Sequence, residues 1–223
     1  MAATRELILF DLDGTLMDSA PGILESVQYA YVTLGLECPD LETLRTFVGP
    51  PLHASAVRHG VPADMVDEFL AAYRVAFVDG GMLNNSVYDG VRSVLKELQL
   101  AGKRMAIATS KPEIFARQIC RHFDLDQHFE FIAGATLDTS RSSKSLVVAH
   151  ALKNLAESEQ GLPAVGQMVM VGDREHDVLG AREHGIDTIG VTWGYAQPGE
   201  LVEAGASALV EEPRQLLDVL LTA

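Results

Sequence analysis

Asp11 and Asp13 stand one residue apart, directly after the apolar run Leu7-Ile8-Leu9-Phe10 and just before Gly14 and Thr15. Two carboxylates so close repel each other unless a cation or a shared proton holds them together. Three further clusters carry groups that could work with them: Thr109-Ser110-Lys111-Pro112, Arg141-Ser142-Ser143-Lys144 and Gly172-Asp173-Arg174-Glu175-His176-Asp177. Asp11, Asp173 and Asp177 offer hard oxygen donors of the kind Mg²⁺ prefers, and Mg²⁺ commonly shares phosphate oxygens. Asp173 and Asp177 are four residues apart, a spacing that puts both carboxylates on one face of a helical turn. With such a cation present, Asp11 can attack phosphorus to give an aspartyl-phosphate. Asp13 can protonate the leaving oxygen and then activate water. Thr109 can donate a hydrogen bond to a phosphoryl oxygen, and Lys144 can balance the charge of the carboxylates and of the transferring group. Backbone amides around Gly14 and Ser110 can cradle the same oxygens.

Each cluster taken singly has a plain structural reading. Asp-x-Asp-Gly can be a turn with a solvated acidic pair, and a threonine after a strand can cap a helix. Ser142 or Ser143 can cap the helix that follows, an isolated lysine such as Lys144 is usually at the surface, and acidic residues are favoured in a first helical turn. The joint occurrence, in this order, argues for function. The histidines show no paired spacing suited to zinc and read as structural or exposed, and no catalytic role is expected of His176.

These clusters need a frame that brings them together. Apolar segments at Leu7 to Phe10, Arg104 to Ala108, Phe131 to Gly134, Met168 to Val171 and Thr188 to Val191 read as strands, with Ala208 to Val210 as a short edge strand. Helix-like stretches begin near Pro112, Ser145 and Val178, and a terminal helix is expected over Pro213 to Leu221. Strand and helix in alternation predict an α/β fold, a parallel sheet with helices on both faces. In such a sheet the carboxyl ends of the strands share one edge, where ligands bind. From Leu16 to about Tyr88 the alternation stops. Helices are expected there from about Ile23 to Leu34, Asp40 to Phe47, Leu52 to His59 and Ala63 to Val78, and no strand. A helical insertion beside the predicted catalytic edge reads as a cap over a site. The expected division is thus residues 1–16 and 89–223 as an α/β core and residues 17–88 as a small α-helical cap.

Net charge is −14, from 17 basic and 31 acidic residues. That balance disfavours a nucleic-acid polymer or an anionic membrane as partner, and it requires local positive charge or a metal to draw in an anionic substrate. Cys38 and Cys120 have no metal-ligand spacing and are expected to be reduced thiols, as in the cytoplasm. No basic stretch leads into an apolar segment at the N-terminus, so no secretory leader is expected. No run approaches the roughly 20 apolar residues that span a bilayer.

Asp11-Leu12-Asp13-Gly14-Thr15, Thr109, Lys144 and Gly172-Asp173 with Asp177 together resemble the four motifs of the haloacid dehalogenase superfamily phosphatases, over nearly the whole chain. The resemblance implies a Rossmann-like sheet with a small helical cap, Asp11 as nucleophile and Asp13 as acid/base. It also implies a Mg²⁺ held by Asp11, the backbone carbonyl of Asp13, and the acids Asp173 and Asp177. Asp13 argues against dehalogenation, because the dehalogenases of that superfamily lack this aspartate. Asp18-Ser19-Ala20-Pro21, Phe47-Val48-Gly49-Pro50-Pro51-Leu52 and Val191-Thr192-Trp193-Gly194-Tyr195 resemble the phosphoglycolate phosphatase and 5′-nucleotidase branch. The expected activity is therefore a phosphomonoesterase acting on a small phosphorylated metabolite, phosphoglycolate or a nucleoside monophosphate, as monomer or homodimer. Arg45, Gly49 with Pro50, and Arg74 are candidates for substrate contact, and either Thr109 or Ser110 can be the second-motif donor. A sugar-phosphate mutase or phosphotransferase on the same scaffold, or a non-catalytic binding module, are the alternatives.

Overall fold

A computed structural model describes residues 5–221; residues 1–4 and 222–223, which fall within the expected core and bear on the leader expectation, lie outside the described residues. The chain starts with β1 (Leu7–Phe10), in which every residue is fully buried. A strand with no solvated face belongs in the middle of a sheet covered on both sides. After a turn, β2 (Met17–Asp18) leads into the helices α1 (Ala20–Thr33), α2 (Leu41–Arg45), α3 (Leu52–Arg58) and α4 (Val66–Ala76), then a π-turn at Phe77–Gly81. The chain returns through β3 (Ser86–Val87), antiparallel to β2, with Met17 opposite Val87.

From there strands and helices alternate: α5 (Val91–Leu100), β4 (Arg104–Pro112), α6 (Glu113–His122), β5 (Phe131–Ala135), α7 (Lys144–Ala156), β6 (Met168–Gly172), α8 (Glu175–Arg182), β7 (Asp187–Val191), α9 (Glu200–Ala204), β8 (Ala208–Val210) and α10 (Gln215–Leu221). Six strands form one parallel sheet in the order β5-β4-β1-β6-β7-β8. The chain builds outward from β1 to β4 and β5, then crosses back through α7 to build β6, β7 and β8 on the other side. That reversal puts the switch point, and the crevice that goes with it, at the carboxyl end of β1.

Alternation within β1 divides the core. Ile8 and Phe10 pack with Val94 and Leu95 of α5 and Leu216 of α10, whereas Leu7 and Leu9 pack with Val147 and Ala151 of α7. The helical segment has its own apolar centre. Ile23, Val27, Ala30 and Tyr31 recur at helical spacing on α1 and are buried. Tyr31 meets Phe69 of α4 edge-on, with ring centroids 4.9 Å apart. Removing so large a buried ring costs about 3–5 kcal/mol, so this contact fixes α1 against α4.

The structure adds elements that the sequence expectations lacked. The expected strand-free insertion carries β2 and β3, each of two residues, too short to show any alternation. Helix α5 was not anticipated although Val91, Val94, Leu95 and Leu98 recur at the spacing of an amphipathic helix, and α9, of five residues, is too short to show such a repeat. Among the described residues no helix is long and apolar enough to cross a membrane.

Candidate active site

The end of β1 delivers Asp11 between two neighbouring strands. Phe10 pairs with Ile107 of β4 and with Val171 of β6, and the Asp11 amide donates to the Val171 carbonyl at 2.9 Å. Thr109 of β4 and Gly172-Asp173 at the end of β6 therefore flank it. The carboxylates of Asp11, Asp173 and Asp177 each present an oxygen within 4.8 Å of the others. Asp173 and Asp177 are 0% exposed and Asp11 is 4% exposed.

Lys144 bridges two of the three carboxylates. Its Nζ lies 2.9 Å from Asp11 Oδ1 and 2.6 Å from Asp177 Oδ1, and it donates to the Ala108 carbonyl at 3.0 Å. Ser143 explains how a lysine comes to point inward. Its side chain caps α7 by accepting from the Leu146 amide, and Lys144 begins the helix directly beneath the sheet edge. Burial works against the Lys144 charge, but Asp11 and Asp177 more than offset it and hold the ammonium above its ordinary range. Burial, with repulsion from Asp177 and Asp11, pushes Asp173 well above the usual carboxylate range. Asp177 is also raised, chiefly by burial, although Lys144 opposes the shift.

The two fourth-cluster acids converge, but not as partners on one helix. Asp173 precedes α8, accepting from Thr15 Oγ1 at 3.2 Å and from the Tyr195 amide at 2.8 Å. Asp177 lies in the first turn of α8 and accepts from the Arg174 amide at 3.0 Å. Space for these carboxylates comes from glycines. A Cβ at Gly14 or Gly194 would collide with Asp173, and one at Gly172 would collide with Asp177.

The donor set is a test of the cation expectation, and it fits. The donors are all carboxylate oxygens, buried, and more numerous than the single ammonium among them, so a hard divalent cation would relieve their repulsion.

Beside this cluster a cavity of about 130 Å³ opens between the helical segment and the sheet edge. Its walls are mainly apolar, with Phe47, Leu70, Tyr73 and Phe77 from the helical segment and Phe115 from α6, and Asp13, Ser110 and Lys111 on the sheet side. Gly49, Pro50 and Arg74 line it, whereas Arg45 is exposed on α2 and is not among the lining residues. Ser110 faces the cavity, while Thr109 is buried and its Oγ1 accepts from the Lys111 amide at 3.3 Å. The Asp13 carboxylate lies outside the three-carboxylate group and pairs with Lys111, Oδ2 to Nζ at 2.9 Å. His176 lies in the first turn of α8 and does not line the cavity.

Lys111, Thr15, Tyr195 and Arg174 carry contacts that sequence reasoning did not assign. The Trp193-Gly194-Tyr195 and Asp18-Ser19-Ala20 segments, noted only for their resemblance, meet. Tyr195 Oη donates to Asp18 Oδ1 at 2.7 Å and accepts from the Ser19 and Ala20 amides at 2.9 and 3.0 Å. Trp193 Nε1 donates to the Thr15 carbonyl at 3.1 Å.

A parallel sheet with converging carboxylates and a buried lysine at its switch point defines a class of hydrolase, and comparison with known proteins agrees. The chain belongs to the haloacid dehalogenase-like hydrolase family, whose profile matches residues 8–191. It is an enzyme of the phosphatase kind within that family. It is 43% identical over 219 residues to the tyrosine-protein kinase PtkA of Mycobacterium tuberculosis, covering 96% of this chain and 73% of that protein. It is 42% identical over 195 residues to a 5′-nucleotidase of Pseudomonas aeruginosa, covering 87% of this chain and 86% of the relative. The crystal structure of a predicted phosphatase from Clostridium acetobutylicum superposes with a TM-score of 0.91 at 37% identity, covering 98% of this chain and 99% of that one.

Proposed function

We propose that this protein is a Mg²⁺-dependent phosphomonoesterase acting on a small phosphorylated metabolite, with residues 17–88 as a cap that closes over the leaving group. The observation that carries the reading is the meeting of Asp11, Asp173, Asp177 and Lys144 at the end of β1, beside a cavity that Asp13 also lines. Magnesium, when bound, supplies a Lewis acid that draws charge from the phosphoryl oxygens.

The residues divide the work as follows. Lys144 holds one oxygen of Asp11 and so orients the carboxylate toward the phosphorus. A carboxylate oxygen of Asp11 bonds to phosphorus as the ester P–O bond breaks, and Asp13 gives its proton to the departing alkoxide. Asp13 then takes a proton from water, whose oxygen attacks the aspartyl-phosphate, releasing inorganic phosphate and restoring Asp11. Thr109 and Ser110 donate to the phosphoryl oxygens, whereas the Gly14 amide, expected to do the same, is taken by the Met17 carbonyl at 2.8 Å, and the apolar wall of the cap excludes bulk water.

The test is a panel of phosphoglycolate, nucleoside monophosphates and sugar phosphates compared by kcat/KM, with Asp11→Asn alongside. Phosphate release from wild type and none from Asp11→Asn is expected, and chelation by EDTA should stop turnover until Mg²⁺ is returned. Substantial turnover in Asp11→Asn refutes the nucleophile. A second reading is favoured by the relative named a tyrosine-protein kinase. On that reading a hydroxyl other than water's accepts the phosphoryl group, and label from the donor appears on a tyrosine peptide instead of in free phosphate.

A further inference from the structure

Lys111 is a buried ammonium with no part in the mechanism above. Its side chain is 4% exposed, its Nζ is 2.9 Å from Asp13 Oδ2, and it sits 4.8 Å from the centre of the Phe77 ring. Phe77 belongs to the helical segment, stacks on Tyr73 at 5.4 Å and meets Phe115 edge-on at 5.5 Å. Both Asp13 and Lys111 line the cavity. The ammonium therefore has a carboxylate of the sheet edge on one side and an aromatic ring of the helical segment on the other.

We infer that Lys111 is a positioning residue for Asp13, and that the helical segment sets its position through Phe77. The inference rests on the acid/base role proposed for Asp13. A short aspartate side chain at the end of a turn has several staggered rotamers available. A buried ammonium 2.9 Å from Oδ2 selects one of them, since charge-assisted contacts of this kind are strong and directional, and it leaves Oδ1 as the oxygen that carries the proton to be transferred. The lysine in turn is long and flexible, and a ring face over its head restricts where the charge can rest. Lys111 reaches this place because the register of β4 against β5 shifts between Thr109 and Pro112, which turns consecutive side chains away from simple alternation. Closure of the helical segment and alignment of the proton-transferring group are then one event: where Phe77 seats, Lys111 follows, and Asp13 with it.

The experiment compares esters with poor and good leaving groups. A nucleoside monophosphate or another alkyl phosphate needs its oxygen protonated on departure, whereas p-nitrophenyl phosphate hardly does. Asp13→Asn should slow the alkyl ester far more than the aryl ester. Lys111→Met should show the same split in kcat at smaller size, roughly 10- to 100-fold for the alkyl ester and a few-fold for the aryl ester, below the roughly 100- to 10,000-fold typical of an acid–base group itself. Lys111→Arg should restore part of the alkyl rate, and Phe77→Leu should give a weaker version of the Lys111→Met split. Lys111→Met combined with Asp13→Asn should be no slower than Asp13→Asn alone, because both act on one step. Equal loss on both esters in Lys111→Met, or a rise in KM with no split, overturns the inference, as does a multiplied loss in the double variant. If Asp13→Asn itself shows no split, the acid role falls and the inference falls with it. A split in Asp13→Asn without one in Lys111→Met leaves the acid role standing and removes Lys111 alone.

Discussion

Replacing Lys144 by methionine keeps the length of the side chain and removes its charge. Two ion pairs vanish, at 2.9 Å to Asp11 and 2.6 Å to Asp177, leaving the buried carboxylates without their counter-charge. Breaking a buried pair by deleting one partner costs about 3–5 kcal/mol, because the abandoned charge stays buried. For a chain of this size each kcal/mol moves Tm by roughly 2–4 °C, so Lys144→Met should melt about 6–20 °C below wild type in calorimetry at pH 7 with EDTA. The loss should shrink in a Lys144→Met, Asp177→Asn double variant, whose coupling energy is expected at about 1–3 kcal/mol because the pair is in direct contact. It should also shrink with added Mg²⁺, which replaces part of the missing positive charge. Turnover should fall by about 100- to 1000-fold, the usual consequence of removing one charge-stabilising donor. A Lys144→Met protein that melts within about 1 °C of wild type, with additive behaviour in the double variant, would mean that the ammonium does not hold the cluster together.

The raised pKa of Asp173 makes its contribution to folding fully present below its unfolded value and lost as pH rises through the folded one. Without divalent cation the protein should therefore be more stable in mild acid than at neutral pH, and Mg²⁺ should add stability at neutral pH and little in acid. Thermal melts across pH with EDTA or Mg²⁺ check this, and a Mg²⁺ increment that does not change with pH contradicts it. Gly194→Ala should weaken cation binding, because the added methyl collides with Asp173 and with the Gly14 carbonyl; the strain should cost about 1–3 kcal/mol. Isothermal titration with Mg²⁺ reads the effect, and unchanged affinity would show that the glycine is incidental.

The parts legible in the sequence were those written in long or chemically unusual runs. Leu7 to Phe10 followed by two aspartates marks a central strand ending in a site, and strand–helix alternation brings Asp11, Lys144, Asp173 and Asp177 to one edge without any knowledge of distances. What stayed hidden depended on geometry at the scale of a single residue. Asp173 and Asp177 suggested one helical face, but the chain puts Asp173 before the helix, held by Thr15 and the Tyr195 amide, while Asp177 pairs with Lys144 and accepts from the Arg174 amide. Lys111 was visible as part of a cluster, yet its pairing with Asp13 depends on a register shift in β4 that no local pattern announces. Arg45, a candidate for substrate contact by charge alone, is exposed away from the cavity. Tyr195 and Asp18 lie 177 residues apart, and only the folded sheet shows that they touch.

Arg174, next in the chain to Asp173, reaches the other way. Its Nε holds Glu200 at 2.7 Å, and its Nη1 donates to the Val48 carbonyl at 2.8 Å. Lifting the Val48–Gly49 loop off the sheet edge must unlatch this charged, buried hydrogen bond, worth about 1.5–3 kcal/mol. A latch of that strength weights the shut arrangement roughly tenfold to a hundredfold over one with the loop raised. Any opening of that loop is thus tied to a single guanidinium, next in the chain to Asp173, one of the cluster's two fully buried acids.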